Sequence, residues 1–100
     1  MTPYRILWLD RTIASLEQLR SAIEEASQSE DIAQHIIQGI YDRAQLLAKY
    51  PRMTPEINEI TGLRRLVVGN YYIFYRVVEE KKIVQIERIM DQRQDISFLV

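Results

Sequence analysis

Arg64, Arg65, Arg76, Arg88 and Arg93, interleaved with Tyr71, Tyr72 and Tyr75, are the residues of this sequence whose types and spacing could do chemistry. Cleavage of RNA through a 2′-hydroxyl needs a proton acceptor, a proton donor and a cation beside the phosphate. The arginines could supply the cation and the tyrosines an acid. A base is harder to find. The lone histidine, His35, directly precedes Ile36 on the apolar stripe of a predicted helix, far in sequence from the arginines, and reads as a helix-surface residue. The chain has no cysteine, so neither a disulfide framework nor a thiolate metal site is expected. No phosphate-binding glycine loop, metal-ligand cluster or nucleophile–base pair is seen, and no cofactor or metal is expected.

Charge bears on the same question. The formal net charge is −1, whereas nonspecific affinity for nucleic acid comes from many phosphate contacts. Residues 1–50 carry five Lys/Arg and seven Asp/Glu, or −2, and residues 51–100 carry eight and seven, or +1. Between Thr61 and Val78 stand Arg64, Arg65 and Arg76 with no acid, so the modest electropositive surface is expected there. One hundred residues fit a single domain spanning 1–100. No apolar run is long enough to span a membrane, and MTPYRILWLDR is too short in apolar length for a signal peptide. A cytoplasmic protein with no membrane partner is expected.

The elements that must position these residues follow from periodicity. Pro3–Leu9 (PYRILWL) reads as a strand, and Asp10 as the N-cap of a helix over Arg11–Ala26 whose stripe is Ile13, Leu16, Leu19, Ile23 and Ala26. SQSE (27–30) offers Ser27 or Ser29 as the cap of a second helix, Glu30–Tyr50, with Ala33, Ile36, Ile37, Ile40, Ala44 and Leu47 buried and Pro51 helping to end it. Gly39, mid-helix, reads as a site of close helix–helix approach. PRMTPEINEITG (51–62) reads as a loop with one helical turn near Pro55–Ile60. Leu63–Gly69, Tyr71–Val78 and Ile83–Met90 are strands joined by hairpin turns. The order β-α-α-β-β-β implies an α+β fold in two layers: an N-terminal strand, an α-hairpin, then a three-stranded antiparallel meander. The hairpin can cover only one face of the sheet.

Alternation places Tyr71, Ile73, Tyr75 and Val77 under the helices and Tyr72, Phe74, Arg76 and Val78 on the other face. An arginine in an apolar strand must reach solvent, a carboxylate or a ligand phosphate. Glu87 could pair with Arg76 or Arg65, and strict alternation sends Glu87 and Arg88 to opposite faces.

GLRRLVVGNYYIFYRV followed by VQIERIMDQRQD, after LLAKYP and the opening YRILWLDRTIASLEQL, resembles the RelE/ParE superfamily of toxins from type II toxin–antitoxin modules. The resemblance spans nearly the entire chain and rests on the order and spacing of these segments. It implies a cytoplasmic toxin held by a cognate antitoxin whose C-terminal segment folds on binding. RelE-like members cleave mRNA on the ribosome, and ParE-like members inhibit DNA gyrase. Many members carry a histidine near the end of the last strand where this chain has Asp91, and an aspartate there would repel a phosphate.

With the low charge, this favours the ParE-like branch, a protein–protein inhibitor that is not an enzyme. The expected target-facing residues are Arg64, Tyr72, Arg76, Arg88 and Arg93. A RelE-like ribosome-dependent endoribonuclease, with Arg64, Tyr75, Arg76, Arg88 and Asp91 as its catalytic set, is the alternative; a non-toxic relic that only binds antitoxin is the third reading. Antitoxin contact is expected in the groove between hairpin and sheet and at an exposed sheet edge. The apolar SFLV (97–100) reads as a segment that packs back on the body or supports a homodimer.

Overall fold

The computed structural model describes residues 2–93, so SFLV and its two readings lie outside the described residues. The elements are β1 (Arg5–Trp8), α1 (Asp10–Ser27), α2 (Glu30–Gln45), β2 (Glu56–Asn58), β3 (Leu63–Val68), β4 (Tyr71–Val78) and β5 (Ile83–Asp91). Short 3-10 turns at Leu46–Ala48 and Glu79–Lys81 follow α2 and β4. The expected strand, helical hairpin and antiparallel meander are all present. The strands form one sheet in the order β1-β5-β4-β3-β2, with β1 parallel to β5 and every other pair antiparallel. No helix among the described residues is long and apolar enough to cross a membrane.

Helix α1 begins at its expected cap, one residue earlier than expected. Leu9, in extended backbone, takes the cap position, and its carbonyl accepts from Thr12 and Ile13 N–H at 2.9 and 3.0 Å. Asp10 then sits in the first turn, where a carboxylate complements the helix dipole. The helix is also rotated relative to the expected stripe. Ile13 is 45% exposed and Thr12 is buried in its place. The Thr12 hydroxyl lies 2.8 Å from the Ile86 carbonyl and 2.9 Å from the Glu87 carbonyl, sharing its one proton between them. A buried polar group bonded in this way stabilises its position, whereas an unbonded one destabilises it.

Of the two candidate caps for α2, Ser29 is the one used, its hydroxyl accepting from Ile32 N–H at 3.1 Å. Ser27 instead donates to the Ile23 carbonyl within α1. Gln28 between them is in the left-handed region at φ 56°, which reverses the chain. The α2 stripe is buried as expected through Ala33, Ile40, Ala44 and Leu47. Ile40, Ala44 and Leu47 meet Leu66, Ile73, Tyr75, Val84, Ile86 and Ile89 from the sheet in one core. Gly39 has a different explanation from the one expected. A Cβ placed there meets nothing within 4 Å, so no close approach requires glycine.

The segment read as a loop with a helical turn holds strand β2 instead. Three residues are too short for a period to show, and the pairing comes from tertiary contact. Glu56 lies opposite Arg64 on β3, and the Asn58 side chain accepts from Ile60 and Thr61 N–H, turning the chain into Gly62 at φ 72°. The β3–β4 turn is a two-residue hairpin, with Gly69 at φ 58° in its first central position as a type II′ turn requires.

The distal sheet face, turned away from the helices, is not bare. Leu63, Phe74 and Met90 form a second, smaller cluster, with Tyr72 packed against it. A β-bulge in β5 shapes this face: Tyr75 pairs with Ile86 and Phe74 with Arg88, leaving Glu87 as the extra residue.

Two stability outcomes follow. Gly39→Ala should raise unfolding free energy by about 0.5–1 kcal/mol, read from the urea midpoint, because helix propensity improves with no clash to offset it. Thr12→Val should lower it by about 1–3 kcal/mol by stripping the bulge carbonyls of their donor, and Thr12→Ser should restore most of the loss.

Candidate functional site

The bulge brings Glu87 and Arg88 together on the distal face, against the strict alternation expected from sequence. Both line a cleft of about 120 Å³ with Arg11, Asn58, Thr61, Leu63, Phe74 and Arg76. Its floor is the buried apolar pair Leu63 and Phe74, and its charges among the described residues are three arginines and one carboxylate. Glu87 is 11% exposed and has three partners. Arg11 reaches its Oε2 at 3.2 Å, and Gln85 Nε2 donates to the same oxygen at 3.1 Å. Arg76 Nε lies 2.9 Å from Oε1, but its N–H is not aligned with that oxygen, so this contact is an ion pair and not a hydrogen bond. The expected Glu87–Arg76 pairing is thus present, with Arg11 added from the start of α1.

The other sequence-predicted residues divide. Tyr72 stands on the distal face, edge-on to Phe74 at 5.7 Å between ring centres. Arg65, on the same face, lies with its guanidinium 4.7 Å from the centre of the Tyr72 ring. Arg65 and Arg11 were not among the expected target-facing residues. Parity alone could have flagged Arg65, since Leu63, Arg65 and Val67 share a face. Nothing local to Arg11 reveals that α1 delivers it to β5.

Arg64 points the other way. It pairs with Tyr75 on β3–β4, donates to the Thr54 carbonyl and meets Glu56 at 3.4 Å, and is 11% exposed. It holds the 51–58 segment against the sheet. Tyr75 is fully buried, its hydroxyl 2.8 Å from the Thr54 hydroxyl. Arg93 and Asp91 lie at the end of β5 beside Leu19 and Ala22 of α1. Their contact is bidentate, Arg93 donating to the Asp91 carboxylate at 3.0 and 2.9 Å through its side chain and at 2.8 Å through its backbone N–H. The residues named for an endoribonuclease are therefore dispersed: Arg76 and Arg88 share the cleft, whereas Arg64, Tyr75 and Asp91 do not line it. His35 is exposed on α2, near the β3–β4 turn. Among the described residues no group of three or more His, Cys, Asp or Glu could hold a metal.

A second concavity, about 290 Å³, opens between α2 and the β3–β4 turn, lined by His35, Ile36, Gly39, Ile40 and Val68–Tyr71. Burial, then the Asp91 charge, raises the Tyr71 hydroxyl above its ordinary pKa.

A five-stranded sheet with one parallel edge strand, backed by a helical hairpin, is the architecture of small toxins of the RelE/ParE type. The family model described as the ParE toxin of the type II toxin–antitoxin system parDE matches residues 6–96, and the chain belongs to that family. It is a toxin of a type II toxin–antitoxin module. Solved structures agree on the fold. The chromosomal ParDE system from P. aeruginosa aligns with TM-score 0.76 at 19% identity, covering 91% of this chain and 98% of that one. The RelBE2 complex of Mycobacterium tuberculosis gives 0.60 at 20%, covering 89% and 98%. A doubly substituted E. coli RelE in the free state gives 0.69 at 13%, covering 97% and 90%. No curated protein sequence matches significantly.

Acid should loosen the fold slightly through two carboxylates, whose exposed pairs solvent screening weakens. Arg93 holds Asp91 down to about 2 from 3.8, and Lys82, Tyr4 and Arg52 together hold Glu79 down to about 2 from 4.5. Both folded pKa values are depressed, so their stabilisation is complete above the ordinary values and is lost as pH falls from about 4.5 towards 2. Thermal melts across that window should show a shallower acid decline for Glu79→Gln than for the wild type.

Proposed function

We propose that the chain is a ParE-like inhibitor that acts by binding DNA gyrase through the distal sheet face, and that a cognate antitoxin neutralises it. The observation that carries this reading is the state of the cleft charges. Among the described residues its one carboxylate is tied to Arg11, Arg76 and Gln85, and of the tyrosines offered as a proton donor Tyr75 is buried against the helices while Tyr72 is engaged by Arg65 and Phe74. Such a face, with Val67 exposed, the Tyr72 ring beside it and partly compensated arginines, suits a protein surface. Arg and Tyr are favoured anchors at protein interfaces. Arg65, Tyr72, Arg76 and Arg88 are the residues assigned to it.

The antitoxin is assigned to the groove beside α2 and the β3–β4 turn, together with β1 or β2, the edge strands among the described residues. Ile32, 47% exposed, extends the α2 stripe beyond that groove. An unpaired strand edge accepts an added strand, and an amphipathic helix fits a groove of this kind. The ParDE and RelBE2 neighbours are described as toxin–antitoxin assemblies, which supports such a partner here. The toxin would act in the cytoplasm, where the gyrase is.

The endonuclease reading retains one supporting observation, a carboxylate within reach of arginines in the same cleft. It would require Glu87 to leave its partners and serve as the base.

The purified chain should inhibit gyrase supercoiling, and Arg76→Glu should weaken that inhibition at least about tenfold, on the order of 1.4 kcal/mol at an interface hot spot. Transcripts cut at codon boundaries on programmed ribosomes, with gyrase unaffected, would reverse the assignment. No growth defect on expression alone would identify the relic.

A further inference from the structure

Glu87 has a second consequence for the distal face. We infer that it is an internal counter-anion that sets what this face can bind: it keeps phosphate chains off the arginines and leaves the face to protein partners. The inference rests on the reading of the distal face as a docking surface. Glu87 is the extra residue of the β5 bulge, and Thr12 holds the carbonyls on both sides of its amide. That backbone geometry turns the carboxylate inward, where it is 11% exposed and lies between Arg76 at 2.9 Å and Arg11 at 3.2 Å.

An external phosphate seeking those two guanidiniums would meet a full negative charge already within hydrogen-bonding distance of both. It would have to displace that charge or share the cations with it. A neutral or apolar protein surface meets no such barrier, because Val67, 49% exposed, and the Tyr72 ring across from it on β4 provide contact area without a charge requirement. Affinity for a single strand scales with the phosphates neutralised, each contributing about 0.7 to the salt slope. With Glu87 between them, Arg11 and Arg76 present one net positive charge to a phosphate where two free guanidiniums would present two, so the pair contributes less.

The test is fluorescence anisotropy of the full chain with a short single-stranded RNA oligonucleotide over a salt series. The wild type should show no saturable binding at physiological salt. Glu87→Gln, and Glu87→Met as a second variant of similar length that needs no hydrogen bonds, should each gain at least about tenfold in affinity, with a salt slope steeper by about 1. Adding Arg76→Ala should remove the gain. A Glu87 that only braces the fold would lower the melting temperature in these variants and leave RNA affinity unchanged, which overturns the inference if either variant remains folded. Saturable binding by the wild type at physiological salt overturns it without any variant. No gyrase enters the measurement, so its outcome is separate from that of the proposed target.

Discussion

The hydrogen bonding between the Thr12 hydroxyl and the bulged backbone of β5 is the contact on which the two sheet faces depend. Before the bulge, Val84 and Ile86 face the helices; after it, Ile89 does so. Without the inserted residue, continued alternation would turn Arg88 into the core and Ile89 out of it. The bulge therefore preserves the apolar register under the helical hairpin while stacking two charged residues on the distal side. Thr12 comes from the first turn of α1, so the same contact fixes the helix against the strand that lies between β1 and β4. It also explains why Ile13 is left half exposed: a helix can aim only one of two adjacent residues at the sheet.

Charge on this molecule is arranged by pairing more than by total. Arg64 is tied to Thr54 and Glu56, Arg93 to Asp91, and Arg11 and Arg76 to Glu87. The exposed pairs add little stability, because solvent screens them and ordering long side chains costs entropy. Near-neutral composition and local pairing of charge agree. The ParE family membership and the fold shared with both ParE and RelE structures are compatible with this distribution.

The periodic elements were legible in the sequence, since each long stripe of apolar residues can be buried in only one way. The α2 stripe and the parity of Tyr71, Ile73, Tyr75 and Val77 are of this kind. The bulge also left a trace that strict alternation overlooked: Ile86 and Ile89 stand three apart where Val84 and Ile86 stand two apart. Strand β2 left none, because three residues carry no period and its pairing depends on where Arg64 lies.

What the sequence by itself determined is the set of local preferences: two amphipathic helices, strands that alternate, glycines at hairpin turns, and an arginine that must find a partner. Local preference suffices there because each is set by residues within a few positions of one another. Which partner Arg76 found, which face received Arg64 and Arg65, and whether Asp10 or Leu9 capped the first helix were decided only in the folded chain. Those outcomes depend on strand register and helix rotation, which are fixed by contacts between residues more than seventy positions apart, such as Thr12 with Ile86 and Arg11 with Glu87.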